Sequence, residues 1–186
     1  MKKFLSILLA MIFTIGISSM VYAESQQKMN HVFLDSRDPQ KFKTSLDKFL
    51  KKKKKDFQIE LSELIVDETF KDKIELPVWC CEFRQIGSEE SAGSLMFFED
   101  RKNQLDSMSI LRDAKDIDAE VEAEVFEKMM RAILQNLGMN STEIDELFNS
   151  PGNDKTAFCQ KSGKYITISL GQSGAIFRIY ASTPAK

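Results

Sequence analysis

Residues 121–138 have the sequence VEAEVFEKMMRAILQNLG, in which apolar side chains recur every three or four positions. The apolar residues at four-residue steps are Val121, Val125, Met129, Ile133 and Leu137. This spacing predicts an amphipathic helix with a broad apolar face, and the glycine after it predicts a C-cap. Strand-like segments precede and follow this helix, and a long helix between two groups of strands indicates a fold that contains both helices and a sheet.

The segments on either side of the central helix alternate apolar and polar residues, which predicts β-strands. About four strands are predicted before the helix, over 57–62, 77–86, 95–98 and 105–111, and three after it, over 156–161, 164–170 and 175–181. A first helix begins at Asp38-Pro39, an N-cap followed by a proline in the first turn. The order predicts an α+β fold: an antiparallel sheet of about six to seven strands, with an N-terminal helix and a long central helix packed on one face.

The N-terminal segment has the features of a secretory signal. Lys2 and Lys3 precede a long apolar run, and Val21 and Ala23 place small residues at the two positions that a signal peptidase recognises. We expect cleavage after Ala23. A retained membrane anchor is the alternative, but it needs about 20 apolar residues, and serines interrupt this run.

Three segments follow from this interpretation. They are a signal peptide at 1–23, a flexible lead-in at 24–37 and a single α+β domain at 38–186. The mature protein should be soluble and exported, either periplasmic or secreted, without stable insertion into a membrane.

The charge balance argues against a general nucleic-acid-binding protein. The chain has 26 Lys and Arg against 28 Asp and Glu, for a formal charge of -2. Removing a signal that contains two lysines and no acid leaves about -4, whereas nucleic-acid-binding domains have a strong basic excess. We therefore expect no nucleic-acid partner.

The chain has three cysteines, so at most one intramolecular disulfide can form in an oxidising compartment. Alternation along the strand at 77–86 places Trp79, Cys81 and Phe83 on one face, which favours a Cys81–Cys159 pair. A Cys80–Cys159 pair is the second candidate, and three reduced thiols that pack as small apolar groups are the third. A spare cysteine could link two copies as a dimer.

Four features of the C-terminal half occur together. They are the apolar helix Val121–Leu137, its Leu137-Gly138 end, the capped Ser141-Thr142-Glu143 turn, and Gly163-Lys164-Tyr165 at the start of an alternating strand. In these features the chain resembles small exported bacterial proteins of unassigned function. The resemblance implies export and an α+β fold, and it implies no activity and no catalytic residue.

No catalytic, metal or cofactor site is predicted. His31 is the only histidine and lies in the lead-in, which is a poor position for a fixed catalytic base. The cysteines lack the paired spacing of zinc sites, and there is no glycine-rich phosphate loop. The acidic residues around Asp116 and Asp118 are typical of a helix start, where the dipole favours negative charge.

The remaining candidate is a possible patch for an acidic partner at Lys51, Lys52, Lys53, Lys54 and Lys55. A solvated helix end is the alternative interpretation of this run. We expect a non-enzymatic binding or interaction module whose partner is an unknown protein or small ligand. A hydrolase that uses only carboxylates, or a disulfide-linked structural protein of the envelope, are the alternatives.

Overall fold

The computed structural model of the protein describes residues 29–32, 34–35, 37–68, 76–112, 119–170 and 176–184. The chain divides into two compact units, Met1–Asn30 with Pro184–Lys186, and His31–Thr183. The predicted signal and its cleavage site after Ala23 lie outside the described residues.

The described residues contain four helices and nine strands. The helices are α1 (Pro39–Lys52), α2 (Lys54–Phe57), α3 (Ala119–Asn136) and α4 (Ser141–Asn149). The strands are β1 (Met29–Val32), β2 (Ile59–Leu61), β3 (Ile65–Val66), β4 (Val78–Gln85), β5 (Gly93–Glu99), β6 (Leu105–Arg112), β7 (Asp154–Cys159), β8 (Lys164–Leu170) and β9 (Ile176–Pro184).

The strands form a sheet in the order β2-β4-β5-β6-β9-β8-β7, and neighbours along this path are antiparallel. The predicted class, α+β with an antiparallel sheet, is therefore confirmed. The predicted count of six to seven strands is too low, because β1 also pairs with β9 and β3 with β4. These two strands have four and two residues, too few to give a recognisable alternation.

The core lies on the sheet face that contains Cys81 and Phe83, both of which are buried. Phe42 of α1 packs edge-on against Phe97 of β5, with 6.0 Å between ring centroids. Phe126 of α3 lies 6.3 Å from the ring of Phe83. The predicted grouping of apolar residues on one face of β4 is thus present, and helices α1 and α3 both contact it.

Described residues before position 38, the predicted domain start, also contact the sheet. Part of the segment predicted as a flexible lead-in forms β1, and Leu34 is buried in the core. The carbonyl of Arg37 accepts a hydrogen bond of 2.9 Å from the amide of Leu105, at the start of β6. These contacts tie residues before α1 to the sheet.

The capping residues at the ends of the helices lie at or next to the positions that the sequence predicts. The Asp38 carboxylate accepts the amide of Lys41 at 2.7 Å, as expected of an N-cap. Gly138 adopts φ 105°, and the amide of Met139 bonds to the carbonyl of Leu134 at 3.1 Å. This is the Schellman arrangement in which glycine ends a helix without strain. The cap of α4 is Asn140, one residue before the predicted turn.

Candidate functional site

The five lysines of the predicted patch lie where α1 ends and the one-turn helix α2 follows. We call Lys51–Lys55 the lysine surface, and all five of its side chains are exposed. The structure places Phe57 at the end of α2, so β2 begins at Ile59 and not at residue 57 as predicted. Gln58, with φ 55°, makes the turn between them.

Most of the positive charge of the lysine surface is uncompensated. The Nζ atom of Lys53 lies 3.4 Å from a carboxylate oxygen of Asp56. For the other four lysines, no carboxylate of the described residues lies within 4.0 Å. The surface therefore presents up to four ammonium groups to solvent, close to one another in the chain.

Two adjoining depressions occur beside these lysines. The first, of about 790 Å³, is lined by all five lysines together with Asp56, Gln58 and Ile86. The second, of about 410 Å³, lies between α1 and β2, and we call it the α1–β2 cleft. Its lining residues are Lys43, Asp47, Leu50, Lys51, Lys54, Ile59, Glu60, Leu61 and Ile86.

The acidic residues of the α1–β2 cleft are already paired. Asp47 accepts a hydrogen bond of 2.7 Å from the ammonium of Lys43, and Glu60 accepts one of 2.7 Å from the guanidinium of Arg84. The two remaining charged groups of the cleft are the ammonium groups of Lys51 and Lys54. The cleft therefore has a net attraction for negative charge.

The three cysteines are free thiols, so neither predicted disulfide is present in the structure. Strand β4, which contains Cys80 and Cys81, is separated from Cys159 in β7 by four other strands. Five spacings of about 4.8 Å correspond to about 24 Å across the sheet, whereas a disulfide needs Cα atoms within about 7 Å. The cysteines of β4 and β7 are therefore too far apart to bond. The order of the strands sets this distance, and alternation along one strand cannot reveal that order.

The environments of the thiols on β4 differ. Cys81 faces the core, and burial raises its pKa to about 12. Cys80 faces the opposite side of the sheet and is half-buried. Its pKa is also raised, first by burial and then by the nearby carboxylates of Asp67 and Glu82. Neither thiol has the lowered pKa of a reactive cysteine.

The other sequence candidates do not converge on a second site. His31 lies in β1, and Asp113, Asp116 and Asp118 lie outside the described residues. Glu124, on α3, pairs with Lys128 at 2.6 Å. Within the ranges that the structure describes, no three His, Cys, Asp or Glu side chains are grouped as metal ligands would be.

One buried carboxylate has a role that the sequence analysis missed. Glu143 accepts the amide of Asn140 at 2.7 Å and the amide of Gln160, in the β7–β8 turn, at 2.8 Å. The pattern of Asn140 followed three residues later by Glu143 is a capping box. That pattern was visible in the sequence, whereas the bond to Gln160 depends on the fold.

No protein-family model, curated protein or solved structure matches this chain. Of the helices in the described part of the chain, none has the length and apolar character needed to span a membrane. The lysine surface and the cleft beside it are therefore the features that bear on function.

Proposed function

We propose that this protein is a non-enzymatic binding module, exported after cleavage following Ala23, whose lysine surface binds an acidic protein. The observation that carries the proposal is the set of uncompensated lysines beside two depressions. Clustered charges of one sign attract a complementary partner and accelerate its association. The concave lining offers such a partner more contact than isolated surface lysines would.

The apolar surroundings of the lysine surface favour an acidic protein over a nucleic acid. Binding of single-stranded nucleic acid uses exposed aromatic rings on which bases stack. Phe49 and Phe57, the aromatic residues next to the lysines, pack against each other with 5.7 Å between centroids, and Phe57 is buried. Neither ring is therefore presented as a stacking platform.

A titration with fluorescein-labelled polyglutamate, followed by anisotropy, tests the proposal. The protein is purified from cells that express the whole chain, and its intact mass reports whether residues 1–23 were removed. Binding should be strong at about 10 mM salt and nearly lost at about 1 M, where the Debye length falls from about 30 Å to about 3 Å.

Charge reversal at Lys51→Glu and Lys54→Glu should weaken the binding. A surface ion pair contributes about 0.5 kcal/mol, and each reversal replaces an attraction by a repulsion of similar size. The double variant should therefore lose about 2 kcal/mol, about 30-fold in affinity. The control is Lys102→Glu with Lys161→Glu, which makes the same change in net charge at exposed turns after β5 and β7.

Three results would contradict the proposal. The first is no binding of polyglutamate by the unaltered protein at low salt. The second is an equal loss of affinity in the two double variants, which would mean that only net charge matters. The third is tighter binding of an oligodeoxythymidylate of matched charge, which would assign the surface to nucleic acid.

A further inference from the structure

The direction of the backbone groups in β2 is fixed by two hydrogen bonds at the ends of its pairing with β4. The amide of Ile86 donates to the carbonyl of Gln58 at 2.9 Å, and the amide of Ser62 donates to the carbonyl of Glu82 at 3.0 Å. In an antiparallel pair, alternate residues direct their N–H and C=O groups towards the partner strand. Residues 58, 60 and 62 therefore face β4.

It follows that the backbone groups of Ile59 and Leu61 point to the other side of β2. That side is an edge of the sheet, since β2 is the last strand of the main path. No backbone hydrogen bond from another described strand reaches Ile59 or Leu61 on this side. Among the described residues, the two N–H and two C=O groups of this edge have no backbone partner; Leu61 is half-buried, and Ile59 is 3% exposed.

The α1–β2 cleft adjoins this edge. Ile59 and Leu61 line it on the sheet side, and Lys51 and Lys54 line it on the helix side. The two residues with unbonded backbone groups and the two lysines therefore line the same depression. An extended peptide can use both, the first through its main chain and the second through its side chains.

We propose that the α1–β2 cleft binds an acidic chain segment in an extended conformation, which adds to β2 as a new edge strand. This inference rests on the proposed function and specifies its partner. Side chains of an added strand alternate between the two faces of the sheet. Every second side chain is therefore directed to the helix side, where its carboxylate meets Lys51 or Lys54.

The chemistry of the cleft selects this occupant over a compact acidic ligand. Of its apolar lining residues, Leu50 and Ile59 are 3% exposed, whereas Leu61 and Ile86 are half-buried. The lysines attract the charge of an acidic ligand, and an extended segment can also bond to the unpaired backbone of β2, which a compact ligand cannot do. A segment in which acidic residues alternate with small β-forming residues satisfies both.

The test uses the capped peptide Glu-Thr-Glu-Thr-Glu-Thr with the unaltered protein. In an added strand, alternate amides bond to β2 and the others face solvent. N-methylation of all threonines, or of all glutamates, removes one of these two sets of N–H donors and leaves the charge of the peptide unchanged. One of the two analogues should bind at least about tenfold more weakly, and the other within about threefold of the parent.

Amide signals give an independent measure of the same interaction. On addition of the parent peptide, the amides of Ile59 and Leu61 should shift in the NMR spectrum and exchange more slowly with deuterium. Leu61→Pro removes an N–H that β4 does not use, so the fold should persist, while peptide affinity should fall at least about tenfold. If Leu61→Pro does not fold, the N-methylated peptides still decide.

The outcomes separate the two proposals. Equal binding of both N-methylated analogues, with the Ile59 and Leu61 amides unchanged, overturns the added strand even if polyglutamate still binds. A peptide Glu-Glu-Glu-Thr-Thr-Thr that binds as well as the alternating one would also overturn it. If polyglutamate and the peptides all fail to bind, the proposed function itself is wrong.

Discussion

Glu143 gives the most direct test of how the C-terminal part of the fold is held together. Glu143→Ala removes the carboxylate that accepts the amides of Asn140 and Gln160, at 2.7 and 2.8 Å. Hydrogen bonds to a charged group contribute about 1.5–3 kcal/mol each. Both donor residues are exposed enough to be rehydrated, so the lower value applies, and the variant should lose about 3 kcal/mol.

The assay is thermal and urea unfolding followed by circular dichroism. For a domain of this size, about 3 kcal/mol corresponds to a fall in Tm of about 6–12 °C. Glu143→Gln keeps one acceptor oxygen and should lose about half as much. The control is Glu146→Ala, an exposed position on the same helix, which should change stability by less than about 0.5 kcal/mol. Equal effects of Glu143→Ala and Glu146→Ala would refute the link between α4 and the β7–β8 turn.

Three further predictions concern single residues. At neutral pH, iodoacetamide should modify Cys80 well before Cys81, whose pKa is about 12; Cys80→Ser should remove both the fast phase and any disulfide-linked dimer on a non-reducing gel. The hydrogen bond from the Lys41 amide lowers the pKa of the Asp38 carboxyl. The stability that this carboxylate contributes is therefore present above the pKa that Asp38 has in the unfolded chain, and it is lost as the pH falls through the lowered pKa of the folded state. Unfolding curves should show that Asp38→Asn reduces this acid sensitivity, and an unchanged pH profile would count against the cap. Gly93→Ala would place its Cβ against the carbonyl oxygen of Leu111, and a loss of stability below about 1 kcal/mol would contradict that contact.

Local features of the fold could be predicted because they depend on neighbouring residues. The N-cap at Asp38 and the glycine stop at Gly138 are short-range signals, and the structure contains both. The helix between the two groups of strands was equally clear from its apolar spacing. The short strands β1 and β3 were missed because their pairing depends on partners distant in the sequence.

The order of the strands could not be predicted from alternation. Alternation places Cys81 on the inner face of β4, which is where it lies. The same reasoning cannot show that β4 and β7 are separated by four strands, and for that reason the pairing of Cys81 with Cys159 seemed feasible. Long-range topology determines such distances.

The candidate site was partly visible in the sequence. The run Lys51–Lys55 indicated a concentration of positive charge, and those side chains are exposed. The sequence did not indicate that Asp47 and Glu60 are neutralised by other residues. Nor did it indicate that the residues of β2 with unbonded backbone groups line the same cleft, since this follows from which residues bond to β4.

Binding of an acidic protein at the lysine surface can be located residue by residue. The most direct measurement is a map of backbone amide shifts over the whole protein during titration with polyglutamate at low salt. If the lysine surface is the binding site, the shifts should be concentrated at Lys51–Lys55 and at Ile59, Leu61 and Ile86, and the amides of β7 and β8 should not change. Shifts spread evenly over all exposed lysines, or centred away from α1 and β2, would contradict it.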